Sequence, residues 1–133
     1  ESGQEVGLGR IGNIETTTIK ELSYKLKEAL EIHAIRVVGD LNKKVSKIAI
    51  CTGSGMSFLQ NAIGKADVYI TGDIKFHEAQ EAILHGIGLI DVGHYASENI
   101  VMPSIKSYLN EFANRNNLEV IVSKIDDEPF ITI

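Results

Sequence analysis

Val68-Tyr69-Ile70-Thr71-Gly72-Asp73-Ile74-Lys75-Phe76-His77 joins an apolar run, a glycine turn and the start of a helical pattern that continues to His85. The same unit stands on either side of it. Upstream, Lys47–Ile50 leads through Cys51-Thr52-Gly53-Ser54-Gly55 into Met56–Ile63; downstream, Leu89–Val92 leads through Gly93-His94 into a segment ending near Asn114. Strands alternating with helices predict an α/β protein with a mostly parallel or mixed sheet and helices packed on it. Right-handed crossovers bring successive strand C-termini to one edge, the edge at which open α/β sheets bind ligands. Thr52, Ser54, Asp73, His77, His94 and Glu98 are therefore expected on one rim.

Towards the N-terminus, Thr18 followed by Glu21 is a capping-box pattern, and Leu22, Leu26, Ala29, Leu30 and His33 recur at helical spacing behind it. Ile35–Val38 and Val45–Ile50 are short β-rich runs joined through the turn-forming Gly39-Asp40-Leu41-Asn42. Gly7-Leu8-Gly9-Arg10-Ile11-Gly12 spells G-x-G-x-x-G, but a dinucleotide loop needs a strand before it and a helix immediately after. Here the helix begins only near Ile19, so the string is expected to be an extended, turn-forming segment. At the other end Leu118–Ser123 and Phe130–Ile133 read as closing strands around a solvated acidic turn, Asp126-Asp127-Glu128.

No repeat, low-complexity tract or linker divides the 133 residues, which are expected to form a single α/β domain. Hydrophobic residues make up 44% of the chain, too many for a disordered one. A net charge of −5 disfavours nucleic acid and anionic membranes as partners. The apolar stretches fall short of a membrane span, and no secretory pattern is read at the start. One cysteine, Cys51, permits no internal disulfide and fits a reducing compartment, so a cytoplasmic location is expected. The chain opens on Glu1-Ser2-Gly3-Gln4-Glu5 rather than Met, as does a processed product or a segment of something longer.

Three groups carry chemistry. Thr52-Gly53-Ser54-Gly55 lies between a strand and a helix start, where glycines and free N–H groups can receive an anion. It lacks the lysine of a P-loop, and it reads equally as a tight turn with Ser54 capping the helix. Asp73 and His77 stand together in the first turns after the next strand end, a position that favours function; alternatively Asp73 caps its helix and His77 belongs to a solvated face. His94 and Glu98, four apart, share one face of a helical turn. An imidazole nitrogen and a carboxylate oxygen suit zinc, iron or manganese, although such a pair is commonly structural.

Ile70-Thr71-Gly72-Asp73-Ile74-Lys75-Phe76-His77 and Ile90-Asp91-Val92-Gly93-His94-Tyr95-Ala96-Ser97-Glu98 closely resemble the C-terminal motifs of the Nif-three-like family, whose members are labelled GTP cyclohydrolase 1 type 2 homologues or dinuclear metal centre proteins. Gly7–Gly12 and Val37-Val38-Gly39-Asp40 resemble that family too. The resemblance implies an α/β fold with two divalent metals in a cleft between two halves. A His-His pair and an Asp of the N-terminal half would bind them together with His94 and Glu98. Asp73 and His77 would line the same cleft as catalytic, proton-transfer candidates; if the protein is an enzyme, the loop with Thr52, Ser54 and Gly55 is expected to hold the substrate. No His-His pair occurs in this sequence, so the chain is expected to be the C-terminal portion of a longer protein, bearing part of the centre. The resemblance further implies a homo-oligomer, a hexameric ring. It leaves two functions: a metal-dependent hydrolase of a small, nucleotide-like substrate, or a non-catalytic metal-binding regulatory or protein-interaction module.

Overall fold

The computed structural model describes residues 7–125 and 128–131. In chain order its elements are β1 (Arg10–Thr18), α1 (Ile19–Ala29), β2 (Arg36–Val38), β3 (Lys44–Ile50), a 3-10 turn (Gly55–Phe58), α2 (Leu59–Ala62), β4 (Val68–Thr71), α3 (Phe76–Leu84), β5 (Gly88–Asp91), α4 (His94–Asn99) and α5 (Met102–Arg115). The five strands form one mixed sheet in the order β1-β3-β4-β5-β2. Its centre, β3-β4-β5, is parallel, and β1 and β2 close the two edges antiparallel to β3 and β5. The expected α/β class with a mixed sheet is what the chain adopts.

Every residue of β4 and β5 is buried, which is why these two strands read as unbroken apolar runs. Side chains alternate between the two faces. Val68, Ile70 and Ile90 pack with Ile19 and Leu22 of α1, whereas Tyr69 and Leu89 pack with Met56, Leu59, Ile74 and Ala82 on the α2 and α3 side. Ile19, Val68, Leu89 and Ile90 are fully buried, each contributing about 1.5–3 kcal/mol relative to exposure. The capping box at the start of α1 is complete, with Glu21 N–H donating to Thr18 Oγ1 and Thr18 N–H to the Glu21 carboxylate.

Several local expectations are corrected. The glycine string is extended as expected, and runs into a nine-residue strand, Arg10–Thr18, not singled out from sequence. Gly39–Asn42 turns as expected, with Lys43 N–H donating to Asp40 O at 3.0 Å, but the strands it joins do not pair: β2 pairs with β5, and β3 with β1 and β4. The helix expected over Met56–Ile63 is a 3-10 turn followed by a single α-turn, with Ser54 giving no side-chain cap. The segment after Gly93 is two helices, and Pro103 sits in the first turn of the second, where its missing N–H costs nothing. Leu118–Ser123 forms no strand; Leu118 and Ile121 are exposed and find no ladder partner among the described residues. Alternating side chains cannot make a strand without a neighbour to take its backbone hydrogen bonds, and β1 and β2 already occupy both sheet edges. Phe130 and Ile131 are likewise outside any strand, while Thr132, Ile133, Asp126 and Asp127 lie outside the described residues. None of the described helices is long and apolar enough to cross a membrane.

Candidate metal centre

The three parallel strands deliver three loops to one rim, and backbone contacts lock the loops together. Gly72 N–H donates to Gly53 O at 2.9 Å, and Val92 N–H donates to Thr71 O at 2.9 Å. Gly72 lies so close to Gly93 that a Cβ there would stand 2.7 Å from the Gly93 carbonyl carbon and 2.8 Å from His94 N. Only glycine allows this approach. Beneath it, buried Asp91 accepts from Ile74 N–H at 3.2 Å and from Gly93 N–H at 3.0 Å, and also pairs with Arg36.

This framework holds Asp73 at φ 57°, in the left-handed region. A non-glycine residue there costs on the order of 1–3 kcal/mol and persists when its surroundings over-determine it. The result is a carboxylate aimed across the rim: Asp73 Oδ2 stands 2.7 Å from His94 Nδ1. Asp73 is not the cap of α3, which begins after Lys75. There Lys75 N–H donates to the Glu78 carboxylate at 2.8 Å.

In the neutral ring that gives Nδ1–H to Asp73, the lone pair of His94 is on Nε2. Nε2 faces Glu98 Oε2 at 3.3 Å. Two donors each about 2.0–2.2 Å from one ion stand about 3.0–3.5 Å apart in tetrahedral or octahedral coordination, so the pair suits a shared divalent cation. All three side chains are about half exposed, at 49% for His94, 46% for Asp73 and 55% for Glu98, which leaves the outer side of the pair open to further ligands. The Asp73 hydrogen bond, followed by the Glu98 charge, raises the His94 pKa above its ordinary value. The surroundings of the ring thus favour a cation, whether proton or metal. Among the described residues no third His, Cys, Asp or Glu joins them in a metal-holding group.

Gly53, at φ 63°, closes the remaining side; a Cβ on it would overlap Glu98 Oε1 and stand 3.3 Å from His94 Nε2. Its N–H donates to Ser97 Oγ at 2.9 Å, and Ser97 in turn donates to His94 O at 2.8 Å. Gly55 N–H donates to Thr71 Oγ1 at 2.9 Å, and buried Tyr69 donates its hydroxyl to Gly55 O at 2.6 Å. Burial, and next to it Cys51, pushes the Tyr69 pKa up, so the phenol keeps that proton.

Two sequence expectations change here. The loop at Thr52–Gly55 is not an open anion cradle: the N–H groups of Gly53 and Gly55 are already committed, and Gly55 is buried, leaving only Thr52 and Ser54 exposed at the rim. His77 does not join the cluster; its Nδ1 meets Gln80 Oε1 at 3.3 Å and its ring meets Phe76 edge-on. Ser97, Asp91 and Arg36 were not singled out from sequence, because their partners lie far along the chain.

The family model for Duf34/NIF3 (NGG1p interacting factor 3) matches residues 2–129. The chain belongs to this family. A relative from Streptococcus pneumoniae serotype 4, named GTP cyclohydrolase 1 type 2 homolog, is 39% identical over 98% of this chain and 51% of its own length. One of the same name from Bacillus subtilis is 37% identical over 95% of this chain and 35% of its own. The crystal structure of a Bacillus cereus protein related to NIF3 superposes with a TM-score of 0.89 at 31% identity, covering 96% of this chain and 36% of that one. The chain therefore spans about half or less of the length of these NIF3-family relatives.

Proposed function

We propose that His94 and Glu98 supply part of a divalent-metal centre, zinc, iron or manganese, in a protein that hydrolyses a small nucleotide-like substrate. One observation carries this: His94 Nε2 and Glu98 Oε2 stand 3.3 Å apart while Asp73 fixes the other ring nitrogen. A carboxylate behind a ligating histidine sets its tautomer and makes it a better donor. Glu98 adds the negative charge, and Gly53 leaves the space. With two donors here, the remaining ligands and a second ion belong to sequence beyond this chain. A divalent ion supplies Lewis acidity, making water nucleophilic near neutral pH and drawing charge from the group under attack. In this proposal Asp73 orients His94, and His77, whose Nδ1 meets Gln80 Oε1, stays the candidate for proton transfer. The nucleotide-like substrate rests on the name that the curated relatives carry. We place the whole protein in the cytoplasm as a homo-oligomer, a hexamer by family resemblance; the lone Cys51 fits that compartment.

The committed Gly53 and Gly55 N–H groups favour a second reading, a metal-binding regulatory or interaction module without turnover. The test is turnover by the whole protein, screened over nucleotides with each metal, beside a His94→Ala variant. Metal-dependent turnover lost in the variant supports the hydrolase. No turnover with any metal supports the module.

A further inference from the structure

The loop that resembled an anion cradle is closed, yet a nucleotide-like substrate brings negative charge to a rim that already carries Asp73 and Glu98. Beside the charge that a metal would supply, the sheet places a fixed cation at this rim. Arg36 opens β2 opposite Asp91, the last residue of β5, and so reaches the same rim from the sheet edge. Its Nη2 donates to Ile74 O at 3.0 Å and to the Asp91 carboxylate. Ile74 directly follows Asp73, whose carboxylate holds His94. One turn of chain therefore carries the guanidinium on one side and the candidate metal ligand on the other.

We propose that Arg36 binds the phosphate of the substrate handled at the His94–Glu98 site, a proposal that rests on the metal-centre reading. Three features support this assignment. The guanidinium is anchored through one nitrogen alone: Nη1 and Nε have no hydrogen-bond partner among the described residues, which leaves three N–H donors of a planar fork. The side chain is 71% exposed although its partner Asp91 is 5% exposed, so an immobilised cation is presented to solvent. The Asp91 carboxylate also accepts from the N–H groups of Ile74 and Gly93, so Arg36 is not its sole hydrogen-bond donor. A bidentate phosphate contact needs a guanidinium held in place with unused donors. A purely structural ion pair would leave the exposed side of the fork to water; a phosphate would take the same donors.

Equilibrium dialysis of the whole protein against GTP, guanosine and inorganic phosphate tests this, with wild type, Arg36→Gln and Arg36→Lys side by side. Wild type is expected to bind GTP at least tenfold tighter than guanosine or inorganic phosphate. Arg36→Gln should bring GTP down to the guanosine level and leave guanosine itself unchanged. Arg36→Lys keeps a positive charge beside Asp91 but loses the fork, and should lose several-fold for GTP; this variant decides the matter if Arg36→Gln does not fold. An unchanged GTP constant in Arg36→Lys overturns the proposal. So does an equal loss for GTP and guanosine, the mark of a structural role, and so does a wild type that does not prefer GTP. Metal content is read on the same samples: metal absent from wild type counts against the metal centre, whereas metal retained with GTP binding indifferent to Arg36 counts against this proposal alone.

Discussion

Replacing Gly53 by Ala separates the site from the fold that carries it. The backbone there has φ 63°, a conformation that costs an L-residue about 1–2 kcal/mol. The added Cβ would overlap Glu98 Oε1 and lie 3.1 Å from Glu98 Cδ. Restoring an ordinary carbon–carbon contact of about 3.5–4.0 Å requires Cδ to withdraw by roughly 0.4–0.9 Å. Glu98 is half exposed and can swing away at little further cost in stability. The movement nevertheless exceeds the ~0.2 Å within which ligand distances must be kept. Misplacing a supporting group of a metal site typically costs about 10–100-fold in affinity, and displacing a ligand should cost at least that. The whole protein carrying Gly53→Ala should therefore unfold at slightly lower urea while its metal affinity, measured by competition with a chelator, falls by at least about tenfold. Metal affinity equal to wild type, together with the expected loss of stability, would refute the placement of Glu98 beside the ion.

Asp73→Asn should lower the His94 pKa, since the Asp73 hydrogen bond is the foremost cause raising it. In the metal-free protein the paired imidazolium adds stability below the unfolded-state value near ~6.5, and that contribution disappears as pH rises through the raised folded value; the variant should show a smaller effect, and a His94 proton-NMR titration that does not shift would remove Asp73 from the site. Thr71→Val removes one of the two acceptors of the buried Gly55 N–H, which keeps Gly53 O at 3.1 Å, and also the hydroxyl that donates to Gly53 O; this should cost about 0.5–1.5 kcal/mol in urea unfolding, and a neutral result would mean that the Thr71 hydroxyl does not hold the loop.

The parts of the fold legible in the sequence were those set by local pattern. Val68–Ile70 and Leu89–Val92 show as strands because burial on both faces requires continuous apolar residues, and Thr18 with Glu21 marks the start of α1 because a capping box is written within four residues. Arg10–Thr18 was hidden: its exposed, threonine-rich face carries no apolar alternation, and its strand state comes from pairing with β3. Leu118–Ser123 failed in the opposite way, with suitable residues and no partner. At the site, the His94–Glu98 pair follows from helical spacing. The left-handed Asp73, the Gly53–Ser97 tie and the Arg36–Asp91 bridge come from three loops meeting at one rim, a long-range consequence that no local spacing records.

The central claim is that His94 and Glu98 hold part of a divalent-metal centre. Elemental analysis of the whole protein after exhaustive dialysis tests it most directly, with wild type, His94→Ala and Glu98→Ala compared at matched folding by circular dichroism. Wild type is expected to retain zinc, iron or manganese, and each variant to lose at least one equivalent. Variants that keep the wild-type metal content would contradict the account.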